Sequence, residues 1–172
     1  MDFLDLVKSR YSCRAYTDQP VADHLIDEIL AVGGNAPVGN GAYDSLIFTV
    51  VKSESALNRI REFSAKTGRD RSLGAKVIIF VSSNNLENLI SYENVACAVD
   101  HMALAASNLG LGNCYLYGFI RDMVQENTPQ LDVLDLPEGY VPAAALGIGY
   151  PVQSQAKLPK TELISKVKIN RV

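Results

Sequence analysis

Two arginines and a serine stand at alternate positions near the start of the chain, Arg10, Ser12 and Arg14. If the backbone after Ser9 is extended, these three and Tyr16 point the same way, because side chains on a strand alternate. Two guanidiniums flanking a hydroxyl suit a dianionic phosphate: each arginine can donate in a fork, the serine adds a short hydrogen bond, and neither cation gives up its proton. Tyr11, Cys13 and Ala15 then face the opposite side. An ordinary solvated basic patch has the same composition, so the stripe alone leaves both readings open.

The other residues with chemical potential read more plainly. Cys13, Cys97 and Cys114 are an odd number with no C-x-x-C spacing, and His24 and His101 are the two histidines, so neither a disulfide framework nor a zinc site is supported. His101, beside Asp100 in an apolar helix, reads as a packed or interface imidazole, and Cys13, turned away from the phosphate side, as an unreactive thiol. Gly147-x-Gly149 lacks the third glycine and the helix of a dinucleotide fingerprint and reads as packing.

Several elements must position these residues. Phe3, Leu4 and Val7 predict a short opening helix that frays near Ser9-Arg10, and a second helix after Pro20 carries Leu25, Ile26, Ile29 and Leu30 on one face before Gly33-Gly34 supplies a flexible end. Turn-forming residues fill Asn35 to Gly41. Leu46 to Val51 and the unbroken apolar run Val77 to Val81 predict strands, the latter covered on both faces, with a charged helix from Glu54 to about Lys66 between them. A helix from roughly Glu93 to Leu109 is apolar nearly all round, which predicts burial partly against the same helix of a second subunit. Gly110 and Gly112 end it, Tyr115 to Phe119 returns as a strand or extended loop, and Ala143 to Gly149 is a further buried strand.

The 172 residues, 48% of them hydrophobic, fit a single domain spanning 1–172. A net charge of −3 argues against a nucleic-acid backbone as the main partner. No apolar stretch reaches the roughly 18 residues of a membrane span, and no signal peptide is visible, so the expectation is a cytoplasmic protein with reduced cysteines and no membrane partner.

The segment Ser9-Arg10-Tyr11-Ser12-Cys13-Arg14-Ala15-Tyr16 resembles the opening signature of the FMN-dependent nitroreductase family. Ala36-Pro37-Val38-Gly39-Asn40 resembles its Ala-Pro-Ser…Asn loop. Ala105-Ala106-Ser107-Asn108-Leu109-Gly110-Leu111-Gly112 is similar to its helix end, and Tyr140-Val141-Pro142 to Gly149-Tyr150-Pro151 to its late strand. The resemblance spans most of the chain in the family's order. It implies an α+β (α/β layered) fold, a central, mostly antiparallel sheet flanked by helices, in an intertwined homodimer with FMN at the subunit interface. Arg10, Ser12 and Arg14, with the backbone at Tyr11, would bind the ribityl phosphate and the nearby flavin edge. Pro37, Val38 and Asn40 would come from the partner subunit and line the isoalloxazine. Tyr117 and Gly118 occupy the place where backbone N–H groups face flavin N5, and Lys157 and Lys160 fall where a further phosphate cation is usual, in competition with Lys166, Lys168 and Arg171.

The implied activity is transfer of electron pairs from NAD(P)H to an organic acceptor, a nitroaromatic, quinone or similar, by a ping-pong mechanism with the chemistry carried by FMN. An FMN-binding protein for storage, sensing or flavin cleavage is the alternative. Departures bear on the choice. The family's serine is Val38 here, its Gln-Pro-Trp after the asparagine reads Gly41-Ala42-Tyr43 or Ala42-Tyr43-Asp44, the acid before the long helix is replaced near Asn94, and long lid insertions are missing, so an open site is expected.

Overall fold

The computed structural model describes residues 2–66, 68–152 and 161–171. In chain order the elements are α1 (Phe3–Ser9), α2 (Asp23–Gly34), β1 (Leu46–Val51), α3 (Glu54–Ser64), β2 (Val77–Ser83), α4 (Leu89–Asn108), β3 (Gly112–Leu116), α5 (Gly118–Gln125) and β4 (Val141–Gly149). Short 3-10 turns lie at Gly39–Gly41, Tyr43–Ser45 and Pro129–Leu134. The strands form one sheet in the order β1-β2-β4-β3, and every neighbouring pair is antiparallel.

Strand β2 shows why the sequence folds this way. All seven of its residues are buried, and alternation sends Val77, Ile79 and Val81 to one face and Ile78 and Phe80 to the other. On the first face they meet Ile26 and Ile29 of α2 and Val95, Ala98, Val99 and Met102 of α4. On the second they meet Leu57, Ile60 and Phe63 of α3 and Phe119, Ile120 and Met123 of α5. Each such side chain contributes about 1.5 to 3 kcal/mol by leaving water, so both helical layers are needed to hold an apolar strand.

Three expectations are corrected. Gly33 and Gly34 are not a flexible end but the last residues of α2: a Cβ on Gly33 would sit 2.4 Å from Met102 Cγ, so the glycine permits the close crossing of α2 and α4. Helix α4 starts at Leu89, a turn before Glu93, because the Asn88 side chain accepts the Ile90 N–H at 3.2 Å. Where a strand or extended loop is expected at 115–119, the strand is β3 at Gly112–Leu116 and the chain turns into α5 at Gly118. Phe119, Ile120 and Met123 recur at helical spacing and drop into the second core, a periodicity that a five-residue window cannot distinguish from a strand.

One side of α4 stays uncovered within the chain. Ala96 is exposed, while Cys97, His101 and Leu104 are half-buried. Val32, Phe3, Leu104 and Leu109 edge a hollow of about 340 Å³ beside this stripe. Among the described residues no helix is long and apolar enough to cross a membrane, and no His, Cys, Asp and Glu cluster could hold a metal.

Candidate active site

The stretch after α1 is tied to the sheet by its own backbone. Arg10 ends α1 in an extended conformation, Ser12 pairs with Asn113 of β3, and the Cys13 N–H donates to the Asn113 carbonyl at 2.8 Å. Further along, the Thr17 N–H donates to Tyr150 at 2.8 Å and Tyr16 pairs with Pro151. Asn113 is itself fixed from beneath, its amide donating to the Ala103 carbonyl at 3.0 Å and the Ser107 hydroxyl at 2.8 Å. The strap therefore lies along the outer edge of β3, over the C-terminal half of α4.

Its polar groups act on one thiol. Burial pushes the Cys114 thiol of β3 up, while Arg14, the Ser12 hydroxyl and Arg10 pull it down and Cys13 pushes it up. Arg14 also donates from Nη1 to the Ser12 carbonyl at 3.2 Å, which folds its exposed guanidinium back over the serine. The Tyr11 hydroxyl is buried beside Cys13, and burial, then Cys13, pushes it up.

Tyr16 does not share this side, contrary to the alternation. Its ring lies so close to Gly149 that a Cβ there would come within 2.8 Å of Tyr16 Cδ1, and its hydroxyl reaches the Cys13 carbonyl at 3.1 Å and the Gly147 carbonyl at 3.3 Å. Alternation fails because the strap leaves β3 for the end of β4 between Ser12 and Tyr16. Burial, then Cys13, raises the Tyr16 pKa, so it remains a neutral structural phenol. Cys13 is fully buried against Gly112, as expected of an unreactive thiol, and His101 Nδ1 bonds the Cys97 carbonyl at 2.9 Å within its helix. Gly147 and Gly149 are packing positions: Cβ atoms there would meet Ala75, Leu116 and Tyr16.

The loop with Pro37, Val38 and Asn40 is elsewhere. Asn94 near the start of α4 is buried and its side-chain oxygen accepts the Gly39 N–H at 2.8 Å. A Cβ on Gly39 would lie 2.3 Å from Ile90 Cδ1, so a larger residue there would have to move the Ile90 side chain. Pro37 and Asn40 are exposed, and Asn40 has a left-handed φ of 58°. From Asn94 to Ala103–Ser107 is nine to thirteen residues, roughly 14 to 20 Å of helix. One chain thus holds the strap and the loop at opposite ends of α4.

Tyr117 and Gly118 form the corner between β3 and α5, three residues beyond Cys114, roughly 10 Å along a strand. Tyr117 is exposed, and nothing stands within 4 Å of where a Gly118 Cβ would be. Lys157 and Lys160 lie outside the described residues; Lys166, Lys168 and Arg171 are exposed. Two features escaped the sequence reading: the Asn94 clamp, a bond across 55 positions with no local signal, and α5, whose Arg121 stands near Tyr117 and Tyr92. The helical spacing of Phe119, Ile120 and Met123 could have revealed α5.

Residues 7–72 match the model of the Nitroreductase family. The chain is 28% identical over 158 residues, covering 90% of itself and 80% of the other chain, to a Methanothermobacter thermautotrophicus protein whose name pairs NADH dehydrogenase with NAD(P)H nitroreductase. It is 26% identical over 171 residues, covering 87% and 66%, to a Bacillus subtilis protein named FMN reductase with NAD(P)H. In fold it is similar to a nitroreductase with bound FMN from Bacteroides fragilis, with 24% identity, 100% of both chains covered and a TM-score of 0.82. An FMN-dependent nitroreductase from Clostridium difficile gives 24% identity, 99% and 100% coverage and a TM-score of 0.80. Residues 7–72 thus resemble the Nitroreductase family, and the whole chain has a nitroreductase-like fold.

Proposed function

We propose that the protein is an FMN-dependent oxidoreductase, passing electron pairs from NAD(P)H to a small organic acceptor, and that it works as a homodimer in the cytoplasm with two sites at the subunit interface. The observation that carries this reading is the strap bearing Arg10, Ser12 and Arg14, pinned along the edge of β3 by its backbone, a strand's stretch from the Tyr117–Gly118 corner. That donor set fits a phosphate dianion, and the open corner leaves backbone room for a flat ring system. The relatives named for NAD(P)H-linked reduction and the similar structures with FMN support the same cofactor pair.

In this reading Arg10 and Arg14 hold the phosphate, with Ser12 donating a hydrogen bond. The Gly118 corner presents backbone N–H groups to the ring edge, and Pro37, Val38 and Asn40 close over the ring of the other protomer's site. Lys157 or Lys160 is assigned to the phosphate as a further cation. FMN supplies the reversible two-electron chemistry, so no side chain here needs to act as nucleophile or base. The uncovered stripe of α4 supports the dimer, because an apolar helix face left to water is unfavourable.

Flavin binding without nicotinamide-dependent turnover is a second reading, favoured by the altered loop: Gly41 or Ala42 stands where the family's glutamine would be, and the neighbouring Tyr43 hydroxyl turns back to the Ala36 carbonyl at 3.2 Å. An absorption spectrum of the purified protein, followed by anaerobic titration with NADH or NADPH, separates these. A yellow protein bleached by nicotinamide is expected. Yellow protein that stays yellow eliminates the reductase, and a colourless protein that takes up no FMN eliminates both.

A further inference from the structure

Beside the Tyr117 corner, Leu86, Tyr92, Tyr117, Arg121, Val141 and Pro142 edge a cleft of about 140 Å³. It shares Leu86, Tyr92 and Val141 with a wider hollow of about 600 Å³. Its walls are unusual for their mixture: two tyrosine rings, each nearly half exposed, aliphatic side chains, and a guanidinium. The cation is held in place. Arg121 donates from Nε and Nη2 to Asp122 Oδ1 at 3.3 and 3.1 Å, while the other Asp122 oxygen is taken by Arg71 at 2.6 Å. Arg71 is anchored in turn through Nε to the Ser64 carbonyl at 3.1 Å.

Two guanidiniums share one carboxylate, so a net positive charge is left over. It lies at Arg121, whose side chain is 54% exposed against 24% for Asp122. Glu87 borders the wider hollow rather than the cleft, which sets opposite charges at the two ends. Tyrosine faces receive flat rings, and a pre-oriented guanidinium receives a carboxylate in a two-point bond.

We propose that this cleft binds planar aromatic acids, the anionic group on Arg121 and the ring against Tyr92 and Tyr117, and that such acids are the preferred class of acceptor. The second clause rests on the reductase reading, since Tyr117 borders both the cleft and the assigned flavin corner; the first does not.

Two measurements keep them apart. Calorimetric titration of the purified protein with benzoate and with benzamide reads binding without turnover. Benzoate is expected to bind about ten- to a hundred-fold more tightly, the worth of one charge-assisted bond. Arg121→Gln is expected to bring the ratio close to one, and Arg121→Lys, which keeps the charge but not the fork, to an intermediate value. The acceptor pair 4-nitrobenzoate and 4-nitrobenzamide is expected to show the same preference in KM. Equal affinity in the native protein, or a preference that survives Arg121→Gln, overturns the proposal. Benzoate preference in a protein that nicotinamide does not bleach sinks the reductase reading and leaves the aromatic-acid site standing.

Discussion

The two ends of α4 carry the two halves of the assigned flavin site, and they are built differently. At the C-terminal end the strap from Arg10 to Thr17 is fixed by backbone pairing on β3 and at Tyr150–Pro151, and Cys13 and Tyr16 plug it into the sheet. At the N-terminal end the Val38–Asn40 loop is held by a single side-chain acceptor, Asn94, and by a glycine contact. The proposed phosphate binding needs a fixed backbone beneath its charges, which the strap has. A segment that must also meet another protomer gains from lighter attachment. The ends stand roughly 14 to 20 Å apart along the helix, and in the proposed homodimer one protomer would offer half of each of two sites.

That contrast can be broken most strongly at the strap. Replacing Arg10 and Arg14 together by alanine is expected to remove about 3 to 6 kcal/mol of FMN affinity, two charge-assisted contacts of about 1.5 to 3 kcal/mol each. Flavin titration of the apoprotein reads the loss, with thermal stability near that of the native chain. Retained affinity would mean that the two cations serve something else.

A control lies away from both ends, in the turn between α3 and β2. Burial alone would raise Asp70, but hydrogen bonds from the Ser64 and Ser72 hydroxyls and the Ser72 and Gly74 N–H groups hold it below its ordinary value. Its stabilising effect is therefore present above the unfolded carboxylate value of about 4 and fades as the pH falls through the lower folded value. Asp70→Ala is expected to cost about 2 to 3 kcal/mol at neutral pH by stranding those donors. Urea midpoints should show a shallower acid-side decline in the variant, with FMN affinity unchanged. A steeper decline would reverse the sign of the argument.

At the loop, Asn94→Ala leaves the Gly39 N–H without its acceptor and is expected to cost about 1 to 2 kcal/mol. Hydrogen exchange should quicken at Gly39 while Cys13 and Thr17 keep their protection. Equal quickening at both ends would show that strap and loop are not independent.

Much of this was open to sequence reading. The extended segment that the 10–12–14 spacing assumes is present, and the apolar run at 77–81 announced a strand covered twice, because both signals sit within a few residues. What stayed hidden depended on distant partners. Tyr16 turns away because Gly149 makes room for its ring, and Asn94 finds Gly39 across 55 positions. Helix α5 was lost to its brevity, eight residues beginning directly at a strand end, and Arg121 went with it.

Mixing two defective chains tests the shared site most directly. One carries Arg10→Ala and Arg14→Ala, the other a loop with Val38 and Asn40 replaced by glycine. If the loop serves the partner, a mixed dimer contains one site with both defects and one with neither, so co-refolded chains should regain tight FMN binding at about one site per mixed dimer. Homodimers of either variant should stay weak. Mixed dimers as weak as both parents would place strap and loop in the same protomer's site and contradict the account.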